Sequence, residues 1–179
     1  STITNLLFVS GGVNEVGSLR NIKIRRKGEK DLNFDLYELL LRGNTTNDIR
    51  LLEGDVLFIP IIKKTARAEG SFRRPHLYEI DDDDTLKDLI FYAGGFKSET
   101  SELARLELSR INSQVKKREV SNFSSEDKDI LNQKIVDGDS LQVFKYSSLE
   151  SAKAEIYGQV KYPGVYTILP GDSLSKLIE

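Results

Sequence analysis

With 179 residues, 39% of them hydrophobic and 30% charged, the chain is large enough for one ordinary domain or two small ones and too apolar for a disordered one. Its formal net charge of −2, from 26 basic and 28 acidic residues, predicts no attraction to nucleic acid or to an anionic membrane. The absence of cysteine excludes thiol catalysis, disulfides and thiolate metal sites, and no apolar run approaches the ~20 residues of a transmembrane helix.

In chain order, TITNLLFVSGG (residues 2–12) reads as a helix stopped by Gly11-Gly12. Asn21-Ile22-Lys23-Ile24-Arg25 alternates cleanly and predicts a strand. NFDLYELLLRG (33–43) predicts a helix with Phe34, Leu36, Tyr37 and Leu40 on one side and Gly43 as its stop. RLLEGDVLFIP (50–60) predicts a tight Gly-Asp turn and then alternating apolar positions.

Residues 66–72 and 77–80 flank Arg73-Arg74-Pro75-His76 and predict a hairpin. In Asp84-Thr85-Leu86-Lys87-Asp88-Leu89-Ile90, Asp84 is expected to cap a helix whose apolar face is Leu86, Leu89 and Ile90, and Gly94-Gly95 ends it. Residues 103–109 read as a strand. EVSNFSSEDKDILNQ (119–133) is polar and predicts one short helix after Ser124-Ser125. Asp137-Gly138-Asp139 is a tight turn into a closing strand at 140–144. A last hairpin surrounds Lys161-Tyr162-Pro163-Gly164, with Gly164 expected to supply a positive φ.

These elements repeat. Gly70 set on Gly158 brings Phe72 to Val160, Arg73 to Lys161, Pro75 to Pro163, Tyr78 to Tyr166, Ile80 to Ile168 and Asp84 to Asp172 without a gap. Residues 2–12 likewise match 85–95, and 50–60 match 134–144. The period is ~85 residues, domain-sized and longer than a solenoid unit. The expected division is the later part of one copy over 1–62, a whole copy over 63–149 and the opening of a third over 150–179, as in a piece of a longer protein. Hairpin, helix, strands, short helix, strand is the order of a β-grasp, a mixed sheet over one helix. The expected fold class is α+β, with tandem β-grasp domains truncated in the first and last copies.

GQVKYPGVYTILPGDSLSKLIE (158–179) resembles the opening of a soluble-ligand-binding β-grasp (SLBB) domain. FDLYELLLRGNTTNDIRLLEGDVLFIP (34–60) resembles the closing half of that domain in outer-membrane polysaccharide export proteins. The resemblance implies a periplasmic, outer-membrane-associated protein without catalytic chemistry or cofactor. It implies ring assembly, passage of capsular or exopolysaccharide, and an inner-membrane export or chain-length partner. The second copy departs from the pattern with His76 in place of Gly and an atypical middle segment.

The conspicuous residues have plainer readings than catalysis. Asp81-Asp82-Asp83-Asp84 lacks the spacing of a calcium loop, and a solvated turn ending in the Asp84 cap is favoured. The acids flanking Gly54 and Gly138 belong to turns and are not a carboxylate pair across a sugar. His76, the sole histidine, has no nucleophile motif beside it. The diglycines follow helices, so no helix N-terminus faces an anion there. The remaining candidates are Arg73, Arg74, His76, Tyr78, Lys161, Tyr162 and Tyr166 at the two hairpins. Basic and aromatic groups there suit an acidic sugar polymer or a subunit interface, with the interface favoured. The competing function is a β-grasp module that holds a small ligand or glycan without forming a conduit.

Overall fold

The computed structural model describes residues 1–98, 100, 104–112, 116–144 and 152–168. It is a mixed α+β chain in three successive pieces. The first holds α1 (Ile3–Val9), β1 (Ile22–Arg25), β2 (Leu32–Phe34), α2 (Leu36–Arg42) and β3 (Val56–Phe58), with an antiparallel sheet ordered β2-β1-β3. The second holds β4 (Thr65–Gly70), β5 (His76–Glu79), α3 (Leu86–Tyr92), β6 (Arg105–Asn112), β7 (Lys117–Ser124), α4 (Lys128–Leu131) and β8 (Ser140–Val143). Its sheet runs β5-β4-β8-β6-β7, and β4–β8 is its parallel pair. The third is an antiparallel hairpin of β9 (Ala152–Ile156) and β10 (Gly164–Ile168).

Period-two burial builds the second sheet. Ala66 and Ala68 of β4, Leu106 and Leu108 of β6, and Leu141 and Val143 of β8 all face one core. Leu86 and Leu89 of α3 are fully buried in that core. Each such leucine contributes roughly 1.5–3 kcal/mol of apolar burial. Ile3, Leu7, Ile22, Ile24 and Phe34 form a separate core in the first piece. Helix α2 serves both cores: Leu36 and Leu39 pack on the first, Tyr37 and Leu41 on the second.

The internal repeat extends to hydrogen bonds. Thr2 and Thr85 each accept, through the side chain, the amide three residues on and so cap α1 and α3. Gly12 donates to the Leu7 carbonyl at 2.8 Å, as Gly95 does to Ile90 at 2.9 Å. Arg26 grips Asp55 with two nitrogens, at 2.9 and 2.8 Å. Arg110 grips Asp139 in the same way, with shortest contacts of 2.9 and 2.7 Å. Each aspartate also accepts the amide three residues back, from Leu52 or Val136. The Gly-Asp turn is therefore tied by an arginine to the end of β1 in the first piece and to β6 in the second. Tyr78 donates to the Arg74 carbonyl at 2.6 Å, and Tyr166 to the Tyr162 carbonyl at 2.7 Å.

Four expectations change. Asp84 is not the cap: Thr85 and Asp88 form a reciprocal capping box, and Asp84 is buried. Leu40 is 64% exposed, because α2 turns Leu39 and Leu41 toward the two cores instead. Gly164 opens β10 opposite Ile156, and the positive φ falls at Gly158, +106°. Residues 117–124 form a strand that polarity concealed; only Phe123 in it is buried, and Lys117, Arg118 and Glu119 charge the sheet edge. Asp172, the counterpart of Asp84, lies outside the described residues.

Candidate functional site

The first and second pieces meet at a polar joint. The loop before β1 is pinned along the chain leaving β3, with Ser18 donating its amide to the Pro60 carbonyl at 2.7 Å and the Ile62 amide donating to Val16 at 3.0 Å. That places Ser18, Leu19 and Arg20 against the end of β5. There Glu79, a buried strand residue, accepts from the Ser18 hydroxyl at 2.5 Å, the Leu19 amide at 2.7 Å and the Arg20 amide at 3.2 Å. The Glu79 amide donates to the Tyr37 hydroxyl at 3.1 Å. Three donors on one carboxylate are what a buried charge requires.

Arg20 completes the joint. Its guanidinium pairs with Asp35 at 3.1 Å, with Asp81 at 3.4 Å and with Asp84. It also lies over the rings of Tyr37 and Tyr92, 5.3 and 5.4 Å from their centroids. Tyr92 donates to Asp84 at 2.7 Å, and the Asp81 amide donates to the same carboxylate at 2.8 Å. Burial opposes the charge on Arg20, but the hydrogen bond and charge of Asp84 outweigh it and raise its pKa. Burial likewise raises the pKa of Asp35 against the pull of Arg20. Burial and the bond to Asp84 raise that of Tyr92.

Beside the joint lies a cleft of about 840 Å³. Leu40, Leu41, Pro75 and Leu77 give it apolar walls, and Arg74 and His76 stand among its polar groups. This mixture fits a ligand with an apolar face and an acidic edge.

The structure brings Arg74, His76 and Tyr78 together at this cleft. Arg74 also donates to the Tyr92 carbonyl at 3.0 Å and so binds the C-terminal end of α3. The His76 ring meets Tyr78 edge-on at 6.4 Å. Arg73 is engaged elsewhere, donating to the Phe96 carbonyl at 3.0 Å. Lys161, Tyr162 and Tyr166 share the β9–β10 hairpin, with the Lys161 ammonium 5.4 Å from the Tyr162 ring centroid. Sequence reasoning missed Arg20, Ser18 and Glu79. The one sequence signal near them, an aspartate at both 84 and 172, reads as a helix cap.

Among the described residues, no cluster of acidic or histidine side chains is arranged to hold a metal ion, and no helix is long and apolar enough to cross a membrane. The chain matches no family model and no curated protein.

Proposed function

We propose that this chain is a periplasmic part of an outer-membrane capsular or exopolysaccharide export protein, built from tandem SLBB β-grasp domains over 1–62, 63–149 and 150–179. It acts without catalysis, through homo-oligomeric assembly and passage of the polymer, beside an inner-membrane export or chain-length partner. The outer membrane is reached through segments beyond these residues.

One observation carries the reading. The residues on which the resemblance rests are those that set the architecture: Asp35 and Tyr37 build the inter-unit joint, and Asp55 holds the Gly-Asp turn to Arg26. The sheet order β5-β4-β8-β6-β7 with α3 packed in its core supports the β-grasp assignment. The joint's polar groups are engaged in bonds that fix one unit on the next, which suits a scaffold. The test is removal of the gene from its host bacterium. Surface polysaccharide should fall and polymer should accumulate in the periplasm. Unchanged surface polymer would reject export.

The cleft favours a second reading, a glycan- or ligand-binding module, because Arg74, His76 and Tyr78 converge there. Titration of acidic oligosaccharides, followed by the His76 ring signals in NMR, decides it.

A further inference from the structure

Strand β5 is an edge of the five-stranded sheet and lies in the middle of the chain. Its register on β4 fixes where its backbone groups point. The Thr65 carbonyl accepts from the Gly138 amide at 2.9 Å, and the Arg67 amide donates to the Asp139 carbonyl at 2.8 Å. Both residues of β4 thus turn their backbone toward β8 and the turn before it. Glu79 stands opposite Thr65, and Leu77 opposite Arg67, so these two pairs exchange no hydrogen bond. The backbone of Leu77 and Glu79 points away from β4. The Glu79 amide shows it directly, donating to the Tyr37 hydroxyl of α2 at 3.1 Å. The Leu77 amide and carbonyl point the same way, and no loop, cap or side chain among the described residues takes either group.

That open edge borders the cleft beside the joint, which Leu77 lines. Leu41 and Leu40 of α2, the latter 64% exposed, line the same cleft. Arg74 and His76 stand in it at the start of β5. Arg74 gives one nitrogen to the Tyr92 carbonyl, and among the described residues no carboxylate pairs with Arg74 or His76. The opposite edge of the sheet, β7, opens instead with Lys117, Arg118 and Glu119, charges of the kind that keep further strands from adding. An unpaired N–H and C=O beside an apolar wall and two basic groups is a template for one more strand.

We propose that the cleft takes an extended peptide of a partner protein, which adds antiparallel to β5. One guest residue exchanges both hydrogen bonds with Leu77. Tyr37 already holds the Glu79 amide and ends the ladder there. An antiparallel guest runs toward Arg74, and this fixes its order: an apolar residue opposite Tyr78, any residue opposite Leu77, then an acidic residue opposite His76. Tyr78 and His76 lie opposite Ala66 and Ala68 and share their face of the sheet, so the first and third guest side chains fall on that face. The apolar one meets Leu40 and Leu41, and the carboxylate meets Arg74 and His76. Backbone pairing supplies affinity, and the two side chains supply specificity. The open strand edge favours a peptide over a glycan in this cleft. The inference goes beyond the export reading and stands without it.

The probe is a library of random heptapeptides displayed on phage and panned on this chain. Enriched sequences should share an apolar and an acidic residue with one residue between them. A synthetic peptide of that pattern should move the Leu77 amide and His76 ring signals in NMR. Methylating the guest nitrogen that faces Leu77 should weaken binding by about tenfold, and exchanging its acidic residue for lysine should do the same. Leu77→Pro removes the amide facing the cleft, while Tyr78 and His76 keep the ladder to β4. It should weaken binding by a similar factor at an unchanged melting temperature; if the melting temperature falls, the methylated peptide decides alone. Enrichment of no peptide, or binding unchanged by the methylation, overturns the pairing. Binding of oligogalacturonate at the cleft with no peptide enriched gives it to a sugar instead.

Discussion

Replacing Arg20 by methionine tests whether the joint couples the first two units. Methionine retains much of the stem's packing but not the charge. The Arg20 side chain is 8% exposed and Asp84 9%, so the substitution leaves a carboxylate buried without its cation. Removing one member of a buried pair costs ~3–5 kcal/mol. Asp84 keeps the Tyr92 hydroxyl and the Asp81 amide, and Asp81 is 47% exposed and can turn to water, which favours the lower end. We expect a loss of about 3 kcal/mol, a urea midpoint about 1.5 M lower at a slope of about 2 kcal/mol/M. The double variant Arg20→Met, Asp84→Asn should be more stable than the sum of the two single losses predicts, since neither charge is then stranded. Arg25–Asp31, with 52% and 44% of the side chains exposed, is the control and should cost about 0–1 kcal/mol on loss of its arginine. A loss at Arg20 no larger than at Arg25, or strict additivity in the double variant, would refute the reasoning.

Gly70→Ala should cost more than ~3 kcal/mol. The left-handed φ costs an alanine ~1–2 kcal/mol, and the new methyl would sit against the Val143 carbonyl and force β4 from β8. Gly28→Ala, at φ +85° in open space, should cost the conformational part alone, and equal melting temperatures for the two would contradict the close approach. Asp55 should show itself in acid. The hydrogen bond from Arg26, and then the Leu52 amide, hold its pKa down to about 2, against about 3.9 for an unfolded aspartate. Its stabilisation is complete above about pH 4 and is lost as pH falls through about 2. The stability gap between the wild type and Asp55→Asn should therefore narrow over that window, and a gap independent of pH would show that Arg26–Asp55 is not the cause.

Local signals were legible where one residue's neighbours lie close in sequence. The diglycine stops after α1 and α3, the hairpin around Pro75, the short helix at Lys128–Leu131 and the Gly-Asp turns follow from φ preferences and capping chemistry. Strand β7 was not legible, because an edge strand exposed on both faces has no apolar alternation. The joint was invisible for another reason. Ser18, Arg20 and Glu79 are single polar residues joined across about sixty positions, and such contacts leave no periodic trace. Asp84 has the composition of a cap, but its neighbour Thr85 is the better one, which frees the carboxylate for Arg20.

The repeat preserves the unit but not the joint. Arg26–Asp55 recurs as Arg110–Asp139, and Tyr78 to Arg74 recurs as Tyr166 to Tyr162. Of the partners that lock the first unit to the second, Asp35 and Asp84 have counterparts in Asp127 and Asp172, but Arg20, Tyr37 and Glu79 do not recur. Ala104 stands at the position of Arg20, Asp129 follows the capping Asp127 where Tyr37 follows Asp35, and Thr167 stands at the position of Glu79. A joint built on those side chains cannot form between the second unit and the third. The stability of residues 1–144 should then be independent of residues 150–179. A chain ended after Phe144 is expected to unfold in urea at the midpoint of the whole chain, with the Arg20→Met loss undiminished. A fall in midpoint as large as that caused by Arg20→Met would show that the third piece is locked to the second through other residues.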